Sequence, residues 1–302
     1  MRRLLASTLS LICLIPLAGC GSLRNAAVRS VSRSLQSGGA VWAGDDDPQL
    51  IREALPFALK TIESLLATEP ENRDLLLAAA GGFTQYAYAF VEADVLEVGD
   101  RDPAAAQALR ERARRMYLRA RDYALRGLDL RHPGSRTALQ QDPAKAAAAF
   151  GADDVPFLYW CGASWGAAIA SGKDHPELVA DLPAVRALLE RARALREDFQ
   201  QGAIHTALLP LDALSPVMGG SPERARQDYE RALALSGGRD AGLFVSWALS
   251  VAVPAQDRPG FEAAIQRALA VDADATPANR LANLVAQRRA LYLKQHVDDL
   301  FL

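Results

Sequence analysis

The sequence lacks most of the residue patterns that would announce a reaction centre. Its three cysteines, Cys13, Cys20 and Cys161, are too few and too scattered for a disulfide framework or a zinc ribbon. The four histidines, His132, His175, His205 and His296, never fall at a two-ligand spacing such as His-x-x-x-His, so no metal site is expected. No Gly-x-Ser-x-Gly elbow is present, nor a Gly-x-x-x-x-Gly-Lys-Ser/Thr phosphate loop. The glycine pairs at 38–39, 81–82, 219–220 and 237–238 lack the flanking residues of a nucleotide site, and no cofactor is expected. Basic residues (34) do not outnumber acidic ones (36), which argues against nucleic acid as a partner. Sustained alternation of apolar and polar residues is missing as well, so little or no sheet is expected.

What is present begins at the N-terminus. Arg2 and Arg3 precede an apolar stretch, Leu4 to Leu17, shorter than the roughly 20 residues a membrane-spanning helix needs. It ends in Leu17-Ala18-Gly19-Cys20, the form of a bacterial lipobox, in which the Cys20 thiol takes the lipid. Residues 1–19 are therefore read as a lipoprotein signal peptide. Cys20 becomes the lipidated N-terminus of an exported chain held to a membrane by several acyl chains. Gly21 after the cysteine favours the periplasmic face of the outer membrane in a Gram-negative host. Loss of Arg2 and Arg3 leaves a mature net charge of −4. Residues 20–47 form the tether: either a surface-lying amphipathic helix (Leu23, Ala27, Val31, Leu35) or a Ser/Gly-rich linker. With Cys13 removed and Cys20 acylated, Cys161 is left alone, a buried small hydrophobe rather than a nucleophile.

Residues 48–302 read as all-α. Apolar positions recur at three and four residues, and about ten helices are separated by breaks near Pro70, 99–103, 132–134, 172–176, 219–222, 236–238, 254–259 and Pro277. A small–bulky–small spacing recurs at Ala58-Ile62-Leu65, Ala113-Tyr117-Ala120, Ala225-Tyr229-Ala232 and, more weakly, Phe261-Ile265-Ala268. Leu76, Ala79, Ala80 and Phe83 continue the first of these into its second helix. Small residues let paired helices approach, and the bulky one fills the adjoining hole. The expectation is cryptic tetratricopeptide-like helix-turn-helix repeats, an α-solenoid, with an irregular helical bundle as the alternative.

Two aromatic stripes stand out. Phe83, Tyr86 and Phe90 share a helical face from which Tyr88 diverges, and Phe157 to Trp165 is richer still, with Gly162 and Gly166 permitting close approach. Aromatics at helical spacing usually just pack, which is the favoured reading of each stripe, but they are also suitable walls for an apolar cavity. The tunnel candidates are Phe83, Tyr86, Trp160, Trp165, His205, Asn283 and Gln287. No catalytic residues are assigned; His205 with Asp212 or Ser215 is the only local hydrolase-like combination.

The stretches 51–66, 83–91, 117–123 and Tyr159-Trp-Cys-Gly-Ala-Ser-Trp-Gly166 resemble, in order, the T-component lipoproteins (TatT) of tripartite ATP-independent periplasmic (TRAP) transporters. Gln256-Asp-Arg, Phe261, 280–290 and the final Asp298-Asp-Leu-Phe extend the resemblance to the C-terminus. The resemblance implies a non-enzymatic homotrimer of cryptic repeats in which each protomer has a hydrophobic tunnel. It also implies docking of a periplasmic substrate-binding P-component and hand-over of an apolar, lipid-like or carboxylate-bearing molecule. It carries no ligand contacts to particular residues, so the seven candidates rest on composition alone. The alternative is an envelope scaffold that binds proteins through its concave face and no small ligand.

Overall fold

The computed structural model describes residues 39–99 and 101–301; the signal peptide, Cys20 and the stretch Leu23 to Leu35 lie outside them. Among the described residues every regular element is helical and none is a strand. None of the described helices is long and apolar enough to cross a membrane. The part of the tether that is described forms a short helix, α1 (Gly39–Ala43), whose Trp42 packs against the main core.

Helix α2 (Pro48–Thr68) starts where the sequence dictates. The Asp47 carboxylate accepts from the amides of Gln49 and Leu50, and Pro48 occupies the first turn, where no amide is needed. Its Ile51, Leu59, Ile62 and Leu66 face α3 (Arg73–Tyr86), which is capped by Asn72. Instead of ending, α3 passes through a π-turn at Ala87–Val91 into α4 (Glu92–Val98). The long α5 (Pro103–Asp129) then returns, followed by α6 (Ser135–Gln141), α7 (Pro143–Ala148) and the strongly apolar α8 (Val155–Ala170). After α9 (Pro176–Val179) come α10 (Leu182–Leu195), α11 (Ala203–Asp212) and α12 (Pro222–Ser236). A second π-turn, at Ala248–Ala252, follows α13 (Ala241–Trp247), and α14 (Arg258–Ala270) and α15 (Arg280–Gln295) complete the chain.

Neighbours in sequence are mostly neighbours in space: α2 on α3, α3 on α5, α5 on α8, α8 on α10, α11 on α12, and α13 to α15 on one another. One large core runs from α2 to α11, and a smaller one around Phe244, Phe261, Ile265 and Ala290 unites α13, α14 and α15. Ala113, Tyr117 and Ala120 are fully buried, as are Ala225, Ala232 and Ala268. Burial of each large apolar side chain contributes about 1.5–3 kcal/mol. Cys161 is buried too, and burial pushes its thiol up to about 12, out of the nucleophilic range.

All the breaks expected from proline and glycine occur. Additional breaks lie at Asp142, at 149–154 and at 196–202. In the last of these Gln200 (φ 46°), Gln201 (φ 57°) and Gly202 (φ 98°) are consecutively left-handed. The two glutamines give no sequence signal for that conformation, because glycine is the residue that adopts it freely. Gly162, read as a point of close approach, admits Leu189 of α10: a Cβ there would stand 2.7 Å from its Cγ.

Candidate ligand-binding site

The π-turn at Ala87–Val91 changes the face that α3 presents. Phe83, Tyr86 and Phe90 stay in the core, whereas Tyr88 emerges with 40 % of its surface exposed. A π-turn adds a residue to the helical count, and such turns recur at functional sites. Here it borders a cleft of about 250 Å³ between the π-turn and α4 on one side and α15 on the other. Ala89, Phe90, Ala93, Leu284 and Val285 supply apolar wall; Tyr88, Arg288, Arg289 and Tyr292 supply polar points. Asp47, Pro48 and Gln49, the start of α2, close one end. The composition, apolar with a few polar groups, is that of small-molecule sites.

Arg289 is the unusual member. Its guanidinium lies over the Tyr88 ring, 5.2 Å from the centroid, with the Glu92 carboxylate 3.5 Å from Nη1. Burial works against its charge, but Tyr88, Glu92 and Tyr117 more than offset this and raise its pKa. Its Nε is buried without a hydrogen-bond partner, and the hydroxyl of fully buried Tyr117 faces the Glu92 carboxylate. Burial, then the Glu92 carboxylate, pushes the Tyr117 phenol well above its ordinary value. The Ser171 hydroxyl donates to the Ala167 carbonyl at 2.9 Å and lies 3.4 Å from the Glu92 carboxylate.

The residues singled out from the sequence are distributed differently. Phe83 stacks on Tyr123 at 6.0 Å under the Arg119 guanidinium, and Tyr86 leans on Phe90 at 5.5 Å. Trp165 is buried and donates its indole N–H to Asp181 at 3.2 Å. Trp160 keeps part of its surface accessible and lies against Gly81, where a Cβ would come within 3.1 Å of the indole. Beside it Tyr159 is likewise only partly covered, and burial, then Asp240 and Tyr88, raises its phenol. Asn283 accepts from the Ala241 amide and donates to the Arg239 carbonyl. Gln287 donates to the carbonyls of Ala268 and Val271 at the end of α14. Tyr88 and Arg289, which sequence reasoning passed over, line the cleft and face one another there. The sequence signal for them was Tyr88 diverging from its neighbours' face.

His205 lines a second, more open space of about 510 Å³, with Arg193, Glu197, Arg224, Asp228 and Arg231. Its Nδ1 meets Asp228 at 2.6 Å and its Nε2 meets Glu197 at 3.2 Å. Burial, with neighbouring Asp212 adding, raises the Asp228 carboxyl; bonds to Asp228, Arg186 and Arg224 overcome burial to hold Asp212 low. Asp212 is thus engaged by Arg186 and Arg224, and Ser215 begins the short turn at 216–218. With carboxylates at both ring nitrogens, His205 has neither nitrogen placed to take a proton from a nucleophile.

An uncharacterized protein of Treponema pallidum (strain Nichols) is 33 % identical over 267 residues, 87 % of this chain and 83 % of the relative. Residues 44–301 match the family of TRAP transporter T-components, so from the first cap of α2 to the C-terminal turn the chain belongs to that family.

Proposed function

We propose that this TRAP transporter T-component is a periplasmic, lipid-anchored accessory protein that binds a hydrophobic small molecule. It would dock a substrate-binding P-component and exchange the molecule with it. Membership of the family implies association with a TRAP transport system and an accessory role in transport. The observation that supports ligand binding is the cleft between the π-turn of α3 and α15, with its Ala89, Phe90, Leu284 and Val285 wall. An apolar cleft of this kind excludes water and gains free energy roughly in proportion to the apolar area covered. Anchoring through Cys20 and assembly as a homotrimer complete the reading; both follow the family resemblance and the lipobox.

A second reading, an envelope scaffold without a small ligand, draws support from the burial of Phe83, Tyr86, Phe90 and Trp165. Those rings are occupied in packing. Native mass spectrometry of the chain from Ser22, purified without added ligand, separates the two. A trimer that releases an apolar adduct on unfolding supports transport. A ligand-free monomer would favour the scaffold.

A further inference from the structure

Asp212 closes α11 and Asp228 sits midway along α12, and both carboxyl groups are buried where the two helices meet. Asp212 Oδ1 accepts from two guanidinium groups, Arg186 Nη1 of α10 at 2.5 Å and Arg224 Nε of α12 at 3.0 Å. Asp228 Oδ1 meets His205 Nδ1 at 2.6 Å and, more loosely, Arg193 Nη1 at 3.3 Å. The other oxygen, Asp228 Oδ2, is buried, and no N–H or hydroxyl of the described residues reaches it. What Asp228 bonds besides these is the Asp212 carboxyl. Two ionised carboxylates are both acceptors and repel one another, so this contact is a bond only when one of them carries a proton.

The surrounding charges decide which one. Burial works against ionisation of both. At Asp212 the bonds from Asp228, Arg186 and Arg224 overcome burial and hold the carboxyl low; at Asp228 burial prevails over His205 and raises it. The other charged neighbours keep this order. Glu190 lies 3.7 Å from Arg186, and Glu197, 3.2 Å from the far ring nitrogen of His205, is itself paired with Arg231. Glu230 lines the open space beyond. The proton therefore resides on Asp228 and is donated to Asp212, joining α12 to α11.

Two links carry the state of this bond to the surface. The Asp212 carbonyl accepts from the Ser221 amide at 2.7 Å, and the Arg224 guanidinium spans from Asp212 Oδ1 to the Gly219 carbonyl, which Nη2 reaches at 2.5 Å. From these links hangs the tight turn at 216–218, whose Val217 is 96 % exposed beside an exposed Met218. We propose that the proton shared by Asp212 and Asp228 is a latch, and that its loss frees the turn at 215–220 with its apolar tip, Val217 and Met218. Once the proton leaves, the second anion draws in Arg224, the more exposed of the two arginines on Asp212, and takes it from the Gly219 carbonyl. Because the Asp228 carboxyl is held above its ordinary 3.8, the latch is closed in acid and opens as pH rises through the native value of that group.

Hydrogen exchange of the turn tests this in the mature chain carrying Cys20→Ser. The amides of Met218, Gly219, Gly220 and Ser221 are all hydrogen-bonded in the closed turn. With rates expressed relative to an unstructured peptide at the same pH, their protection should fall as pH rises, by roughly tenfold for each unit by which Asp228 is held above its unfolded value. Asp228→Asn keeps a donor toward Asp212 that cannot titrate, so protection should stay high and level. Arg224→Gln, which cuts the link to Gly219, should leave the turn weakly protected at every pH. Infrared difference spectra give a second readout: the carboxylic C=O stretch that the wild type loses on raising pH should be weaker in Asp228→Asn. Level protection in the wild type, or the same fall in Asp228→Asn, would overturn the latch. A fall in protection with the full carboxylic stretch retained in Asp228→Asn would place the proton elsewhere and overturn its assignment to this pair.

Discussion

The ring of Phe157 in α8 occupies the space that a side chain on Gly127 in α5 would need: a Cβ built there would overlap the ring. The Arg73 guanidinium clamps the pair, stacking 4.6 Å from the Phe157 centroid while Nη1 donates to the Gly127 carbonyl at 2.6 Å. Here α5 and α8 pack together within the main core. Gly127→Ala should therefore destabilise the protein by about 1–3 kcal/mol through overpacking, despite alanine's better helix propensity. Urea unfolding would show the midpoint falling; an unchanged or higher midpoint would mean that Phe157, although buried, has room to turn.

Asp154 anchors the neighbouring corner. Fully buried, it receives the Gly151 amide at 3.0 Å, His132 Nε2 at 2.9 Å, Arg131 at 3.2 Å and Arg73 at 3.4 Å. Burial alone would raise its pKa, but these partners outweigh it and hold the carboxyl low. Asp154→Ala should cost about 3 kcal/mol, the low end for breaking a buried pair, because both arginines and His132 keep some contact with water. Thermal unfolding checks this, and an effect below about 1 kcal/mol would show that solvent replaces the carboxylate completely.

The corner of α10, α11 and α12 should respond to acid. Bidentate bonding to Arg231, then the His205 contact, lowers the Glu197 carboxyl from 4.5 to about 2. A depressed carboxylate stabilises the fold above its unfolded value, and that contribution is lost as pH falls from about 4.5 to about 2. Glu197 is largely solvent-facing, which keeps the effect modest. Asp228 works in the opposite direction: its raised pKa means that protonation favours the fold, and stability falls as its carboxyl ionises. Melting temperatures of wild type and Glu197→Gln should therefore differ most near neutrality and converge toward pH 2. Curves that run parallel would show that the Arg231 pair contributes nothing.

Much of this arrangement was legible along the chain. The helical body begins at Pro48 and breaks at 99–103, as proline and glycine mark it, and the Ala113-Tyr117-Ala120 spacing lies wholly in the core. What escaped depends on partners distant in sequence. The Asp228 that meets His205 is 23 residues away, and Arg289 approaches Glu92 across nearly the whole fold. The π-turns at 87–91 and 248–252 carry no proline or glycine mark, because packing, not local propensity, selects them. Trp160 and Trp165 look equivalent in sequence, but one is bonded to Asp181 in the core and the other is partly uncovered beside Gly81.

Asn283 tests whether a polar residue on α15 serves the fold or a ligand. Its Oδ1 accepts from the Ala241 amide at 2.9 Å, and its Nδ2 donates to the Arg239 carbonyl at 3.0 Å. It thereby straps α15 to the turn that begins α13, and it is almost completely buried. Asn283→Ala leaves a buried amide and a carbonyl unpaired, at a cost of about 1–3 kcal/mol for each group that water cannot reach. Asn283→Asp keeps the acceptor for Ala241 but turns a second oxygen toward the Arg239 carbonyl, so it should destabilise as well, and increasingly so as the carboxylate ionises. Asn283→Ala should also speed hydrogen exchange of the Ala241 amide while leaving the affinity of the cleft for an apolar ligand within about twofold of wild type, since the strap lies outside the cleft lining. A variant of normal stability with lost affinity would instead place Asn283 at the ligand, and would move the binding site from the π-turn of α3 to the start of α13.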